Sequence, residues 1–144
     1  MSNFSDIAEG ISKVIEDYVT STKPAAKAYA YPPASINHLP AILIVPDGMD
    51  PSVAFGGNSF YPRFRLIVLV AMASDENGWQ QLYEMIDPTS ANKSVIKALR
   101  DAPTLNGKAD TSEVISVENA GNRQYGGGQY VGFDLILQAA KTVA

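Results

Sequence analysis

Apolar positions recur along the chain at two spacings, one typical of helices and one typical of strands. Near the N-terminus they lie three or four residues apart, which predicts a helix over residues 5–19 with Ser5 as its N-cap. Gly10 falls inside this helix and should weaken it by about 1 kcal/mol relative to alanine. The predicted buried stripe consists of Ile7, Ile11, Val14, Ile15 and Tyr18.

Runs of consecutive apolar residues predict strands that are buried on both faces. Residues 41–45 form such a run between two prolines. A longer strand is predicted over residues 63–73, which begins polar on one face and becomes apolar on both faces from Leu66. A short strand is predicted at residues 27–31. The segment 46–62 is rich in proline and glycine, and we interpret it as a hairpin-like extension.

Helical spacing returns after the long strand. Trp79, Leu82, Tyr83 and Ile86 fall on one stripe, with Trp79 as the expected core anchor. Asp87 is predicted to cap a new helix that starts with Pro88 and ends near residue 101.

The last third of the chain predicts a closing β-hairpin with strands at 113–119 and 129–139, joined by the glycine-rich segment 120–128. The second strand alternates, with Val131, Phe133, Leu135, Leu137 and Ala139 expected to face the core. The pattern as a whole predicts a single domain over residues 1–144. Its fold class is α+β, with helices packed on one face of a mostly antiparallel sheet.

The amino-acid composition argues against several classes of function. The net charge of −4 argues against a primary nucleic-acid binder, which needs a concentrated basic face. The chain has no cysteine and one histidine, His38, which excludes a zinc site built from His and Cys within one chain. His38 lies in a proline-flanked loop without a nucleophile-elbow motif. We therefore expect no enzymatic activity, no cofactor and no metal.

Three of these features together carry a resemblance to a known family. They are the apolar strand that ends at Pro46, the helix that breaks at Asp87–Pro88 and resumes as residues 94–99 (SVIKAL), and the closing strand of alternating aromatic and aliphatic residues. Over roughly residues 5–140 the chain resembles the tail terminator, or tail-completion, proteins of long-tailed bacteriophages.

The resemblance implies a structural virion protein located in the tail or neck and assembled in the host cytoplasm. Members of that family form rings, usually hexameric, that cap the tail tube and meet the head-side connector. DNA passes through the central opening as transient cargo, and no membrane is involved. Head-completion proteins of the phage neck have a similar size and pattern, so that role remains open. A soluble small-molecule-binding domain is a further alternative.

Two glycine-rich loops, residues 47–61 and 120–128, are the predicted contacts to neighbouring subunits or to tail and connector proteins. Their apolar side chains, which a solitary solvated loop would not require, are Met49, Val53, Phe55, Phe60, Tyr61 and Tyr125. The alternative is that these side chains fold back onto their own domain. Arg63 and Arg65 share one strand face and could contact DNA, a carboxylate of a neighbouring subunit, or only surface ion-pair partners.

Overall fold

The computed structural model describes residues 4–22, 25–51 and 59–142. Within them, three helices and five strands follow one another along the chain. Their bounds are α1 (Phe4–Tyr18), β1 (Lys27–Tyr29), β2 (Ala41–Pro51), β3 (Ser59–Met72), α2 (Gly78–Ile86), α3 (Val95–Asp101), β4 (Thr111–Tyr125) and β5 (Gly128–Thr142).

The five strands form one open sheet in the order β1-β2-β3-β5-β4. β1 runs parallel to β2, and every other neighbouring pair is antiparallel. β3 and β5 lie in the middle of the sheet, which explains why their sequences are the most continuously apolar. This arrangement confirms the predicted α+β class with a mostly antiparallel sheet and a closing hairpin.

The main hydrophobic core lies between the three helices and one face of the sheet. On the central strands, the side chains of Val68 and Phe133 are fully buried and pair in register. Ile7, Ile11 and Ile15 of α1 are also fully buried, as their helical spacing predicts. The helices therefore cover one face of the sheet and leave the other face without a helix.

Gly10 is a point of close approach between α1 and the turn that follows α3. A Cβ atom at this position would lie 2.3 Å from the carbonyl oxygen of Leu105. Leu105 is fully buried and has a positive φ of 53°, in the turn that follows α3. The glycine that the sequence marks as a weak point of the helix is therefore the residue that allows this turn to approach.

The predicted boundaries of the first helix and of the helix pair need correction. α1 begins at Phe4, so Ser5 lies inside the helix and is not its N-cap. α3 begins only at Val95, and the side chain of Ser94 caps it by accepting a hydrogen bond from the Lys97 backbone N–H. Asp87 ends α2 instead, and its carboxylate accepts hydrogen bonds from the backbone N–H and hydroxyl of Thr89.

The closing hairpin is longer and tighter than predicted. β4 continues to Tyr125 and β5 starts at Gly128, so only Gly126 and Gly127 form the turn. Both turn residues have positive φ angles, 55° and 83°, as a two-residue hairpin turn requires. The segment 120–128 is thus mostly strand.

Candidate interaction surface

The end of the β2–β3 hairpin keeps one of the predicted contact residues accessible. Met49 is about half exposed, at 49%. Tyr61 is half-buried, whereas Phe60 packs against the main core, with its ring centroid 6.5 Å from that of Phe4. Val53 and Phe55 lie outside the described residues.

The two predicted arginines lie on the face of β3 that no helix covers. Arg65 is held by carboxylates of its own chain: its Nη1 atom lies 2.8 Å from Asp134 Oδ2, and its Nε atom lies 3.6 Å from Asp47 Oδ1. A third carboxylate, that of Glu118, lies 3.8 Å from Nη1. Arg63 is half-buried near the Gln138 register position of β5. The carboxylate partners of Arg65 are therefore within the chain.

Asp134 is the centre of this charged cluster and is only 2% exposed. Arg123 Nη1 lies 2.6 Å from its Oδ1 atom, an ion pair whose geometry is not that of a hydrogen bond. Asn119 donates a hydrogen bond of 3.2 Å to its Oδ2 atom. Chiefly because Arg65 donates a hydrogen bond to Asp134, the pKa of the Arg65 guanidinium is raised above its ordinary value. The cluster thus links β3, β4 and β5 on the face of the sheet that the three helices do not cover.

β4 forms one edge of the sheet, and its pairing with β5 shifts register twice. The shifts fall between Val114 and Ser116 and between Glu118 and Gly121. Ile115, at the first shift, is 50% exposed. Asn119, at the second, has a positive φ of 55°, and this conformation accompanies its contact with Asp134. Bulges of this kind interrupt an edge that would otherwise pair indiscriminately with other strands.

Tyr125 points back into its own domain. Its hydroxyl donates a hydrogen bond to the carbonyl oxygen of Pro33, and its ring packs against a second apolar cluster formed by Leu43, Leu69 and Tyr130. Gly126 lies against the same segment, since a Cβ there would be 2.6 Å from the Ala34 carbonyl oxygen. For this residue the structure favours the alternative in which the side chain folds back onto its own domain.

The prediction that Trp79 anchors the core is wrong. The buried residues of α2 are Gly78, Leu82 and Met85, which turns Trp79 and Tyr83 outwards, with exposures of 45% and 67%. The Trp79 indole extends toward the edge strand, where a Cβ on Gly121 would lie 3.6 Å from its ring. Trp79 therefore lies beside β4, and Tyr83 is a second exposed aromatic side chain of α2.

One open cleft, lined by polar side chains, has a volume of about 380 Å³. Its one ion pair joins Lys93 Nζ and Glu84 Oε2 at 3.0 Å. The other lining side chains are hydroxyls and amides: Ser21, Thr22, Asn77, Gln80 and Gln81. His38 lies elsewhere, with its Nε2 atom 2.7 Å from the Ala25 carbonyl oxygen.

The described residues were also compared with the requirements of a metal site and of a membrane-spanning helix. Among residues 4–22, 25–51 and 59–142, no group of three or more His, Asp or Glu side chains could hold a metal ion. In the same part of the chain, no helix has the length and apolar character needed to cross a membrane.

No protein-family model and no curated protein matches this sequence. The fold and the geometry of the surface therefore carry the functional argument.

Sequence reasoning identified Arg65 but missed most of the residues around it. Asp134 fell on the polar side of the β5 alternation, which suggested a solvent-facing or partner-facing side chain. Arg123 lies in the segment 120–128 that was interpreted as the hairpin connection, and Asn119 is the last residue of the strand predicted before it, so no predicted register paired either residue with Asp134. The one available signal was the Gly121-Asn122 pair near Asn119, which is typical of a bulged strand.

Proposed function

We propose that this chain is a ring-forming structural subunit of the neck of a long-tailed phage, of the tail-terminator type. In this role a ring, hexameric in the resembling family, caps the tail tube and meets the head-side connector, while DNA passes through its central opening. The virion neck would be its location, after assembly in the host cytoplasm.

The observation that carries the proposal is the placement of exposed apolar side chains on both flanks of the sheet. Met49 lies on β2 and Ile115 on β4, and two strands separate them, roughly 14 Å at the usual strand spacing. Trp79, beside Gly121 of β4, and Tyr83 of the same helix α2 add exposed aromatic surface. A ring is built from heterologous contacts, in which one patch meets a different patch of the next subunit. Two separated apolar patches on one domain suit such a contact.

Electrostatics support passage of DNA rather than its retention. The net charge is −4, and Arg65 and Arg123 are already paired with carboxylates of the same chain. A concentrated basic surface would hold DNA through phosphate contacts. Because these arginines are paired with carboxylates on an acidic protein, they would bind the DNA phosphates weakly and let the DNA move.

Negative-stain microscopy and sedimentation of the purified protein, alone, mixed with isolated tail tubes and mixed with isolated head-side connectors, test the proposal. We expect rings or ring-capped tubes. Ile115→Lys places a charge in one apolar patch and should reduce assembly, while Asn122→Lys, which adds the same charge at an exposed polar position of the same strand, should not. A protein that stays monomeric at all concentrations and binds neither tubes nor connectors would contradict the proposal. Binding to connectors alone would instead favour the head-completion role.

A further inference from the structure

Two Asn-Gly dipeptides occur in the described part of the chain, and they differ in burial and in backbone hydrogen bonding. Asn77–Gly78 opens α2, and Asn106–Gly107 lies in the turn between α3 and β4. We propose that Asn106 is a site of spontaneous deamidation in the folded protein, while Asn77 is protected.

The chemistry requires only water. A base removes the proton from the Gly107 backbone nitrogen, which attacks the Asn106 side-chain carbon Cγ, and ammonia leaves. The resulting five-membered imide is then opened by one water molecule at either carbonyl group, which gives aspartate or isoaspartate. Glycine in the second position favours the attack because it has no Cβ to hinder the nitrogen and its backbone rotates easily.

The surroundings of Asn106 leave this reaction open. Asn106 and Gly107 are both exposed, and a Cβ on Gly107 would meet no atom within 4 Å. The neighbouring backbone hydrogen bonds of the turn run from Lys108 N to Leu105 O and from Ala109 N to Thr104 O. Within the described residues, Gly107 N makes no hydrogen bond that the attack would have to break.

Hydrogen bonds hold the backbone around Asn77, including the Gly78 nitrogen that would have to attack. Gly78 N donates a hydrogen bond of 3.2 Å to the Asp75 carbonyl oxygen. The Asn77 N–H donates to the Asp75 carboxylate at 2.8 Å, and the Asn77 carbonyl accepts from Gln81 N at 3.1 Å. Gly78 is also buried, at the point where α2 meets the sheet. The attack would require this helix start to open first.

Deamidation at Asn106 would act on the contact that fixes α1. The isoaspartate product places an extra carbon in the backbone between Leu105 and Lys108, the two residues whose hydrogen bond closes the turn. The Leu105 carbonyl oxygen also lies against Gly10. We therefore expect the aged protein to lose stability at the α1 contact, in addition to gaining one negative charge.

The test is peptide mass spectrometry of protein incubated in mildly alkaline buffer, folded and in urea. In the folded protein, the peptide with Asn106 should convert from amide to acid faster than the peptide with Asn77, by on the order of tenfold or more. In urea, the two rates should become similar, because both sites then share the same local sequence chemistry. Equal rates in the folded protein, or faster conversion at Asn77, would overturn the proposal.

A second measurement addresses the consequence for stability. After the same incubation, wild-type protein should melt at a lower temperature than a fresh sample. Asn106→Gln, whose longer side chain does not form the five-membered imide, should show no such change between its own fresh and aged samples, whereas Asn77→Gln should age like the wild type. An aged wild type with converted Asn106 and an unchanged melting temperature would contradict the proposed effect on the α1 contact.

Discussion

Arg65 donates a 2.8 Å hydrogen bond to Asp134, a carboxylate that is almost fully buried between strands on the helix-free face of the sheet. Arg65 comes from β3 and Asp134 from β5, and Arg123 of β4 completes the cluster from the other side. Burying a carboxylate is costly unless it is paired, so the two guanidinium groups are what allow Asp134 to occupy this position.

Asp134→Asn should destabilise the protein. The amide keeps the shape of the carboxylate but removes the charge that both guanidinium groups face. Arg65 and Arg123 remain partly exposed, at 30% and 22%, so water can replace part of the lost interaction. We expect a loss of about 2 kcal/mol in the free energy of unfolding, less than for a fully buried broken pair.

Urea unfolding monitored by circular dichroism measures this loss. Asp101→Asn is the matched control, since Asp101 forms an exposed ion pair with Lys97 at 3.1 Å. It should change stability by no more than about 0.5 kcal/mol. Equal effects of the two substitutions would mean that the Asp134 cluster contributes no more than a surface pair.

Tyr125→Ser tests whether this side chain serves its own domain. From the sequence, the substitution should leave the melting temperature nearly unchanged and reduce assembly. The structure reverses that expectation, because the Tyr125 ring packs against the Leu43–Leu69–Tyr130 cluster and its hydroxyl binds the Pro33 carbonyl. We expect a loss on the order of 2 kcal/mol from the removed apolar area.

Thermal unfolding by calorimetry is the direct measurement for Tyr125. Tyr83→Ser is the matched control, because Tyr83 is 67% exposed and its removal should barely alter the melting temperature. If Tyr125→Ser left the melting temperature unchanged and abolished ring assembly, the side chain would have to act at an interface after all.

Buried positions could be predicted from the sequence where apolar residues recur at the spacing of a helix or a strand. The inward positions of β5 were predicted correctly, because the alternating apolar residues have only one arrangement that buries them. In the predicted stripe of α1, Ile7, Ile11 and Ile15 are fully buried, while Val14 and Tyr18 are half-buried against the core. The fold class followed from those elements and the order in which they occur.

The errors arose where tertiary contacts override local pattern. α2 has only nine residues, and Gly78 faces the sheet, where a Cβ would lie 3.4 Å from the Ala71 side chain. That rotation turns Trp79 outwards, and no local preference in the sequence indicates it. The strand predicted for β4 ended too early for another reason. The second half of β4 is polar and contains a glycine, so its sequence does not resemble a strand, and backbone pairing with β5 holds it in the sheet.

Gly10→Ala separates helix propensity from packing. Alanine should stabilise an exposed helix position by about 1 kcal/mol. Here the added Cβ would lie 2.3 Å from the Leu105 carbonyl oxygen, a backbone atom that can move only if the turn moves. We expect net destabilisation by about 1–3 kcal/mol, as for an overpacked core site.

Lys13→Ala serves as the control for this substitution because Lys13 is exposed on the same helix. It should change the free energy of unfolding by no more than about 0.5 kcal/mol. A Gly10→Ala variant that unfolds at higher urea concentration than the wild type would show that α1 does not approach the turn as closely as described.

Asp110, directly before β4, has a carboxylate that contacts the C-terminal end of β5 and whose titration can be followed directly. Asp110 Oδ2 accepts hydrogen bonds from the Thr142 hydroxyl at 2.6 Å and from the Thr142 backbone N–H at 2.7 Å. These bonds, the hydroxyl one foremost, lower the pKa of Asp110 below its ordinary value, against a small opposing effect of desolvation. Because the pKa is lower in the folded state, the stabilisation is complete above the unfolded-state pKa. It is lost as the pH falls through the folded-state pKa.

Thr142→Val removes the hydroxyl and keeps the backbone N–H, so the pKa of Asp110 should rise part of the way back to its ordinary value. Carbon-13 NMR of the carboxyl groups measures this across an acid titration. Asp87 is the internal control: its pKa is lowered by Thr89 at the end of α2, and it should not respond to the substitution. An Asp110 pKa that stays where it was in the variant would show that the Thr142 hydroxyl is not its principal partner. The tie between β5 and the segment before β4 would then rest on the backbone bonds, including that from Asp110 N to Ala140 O.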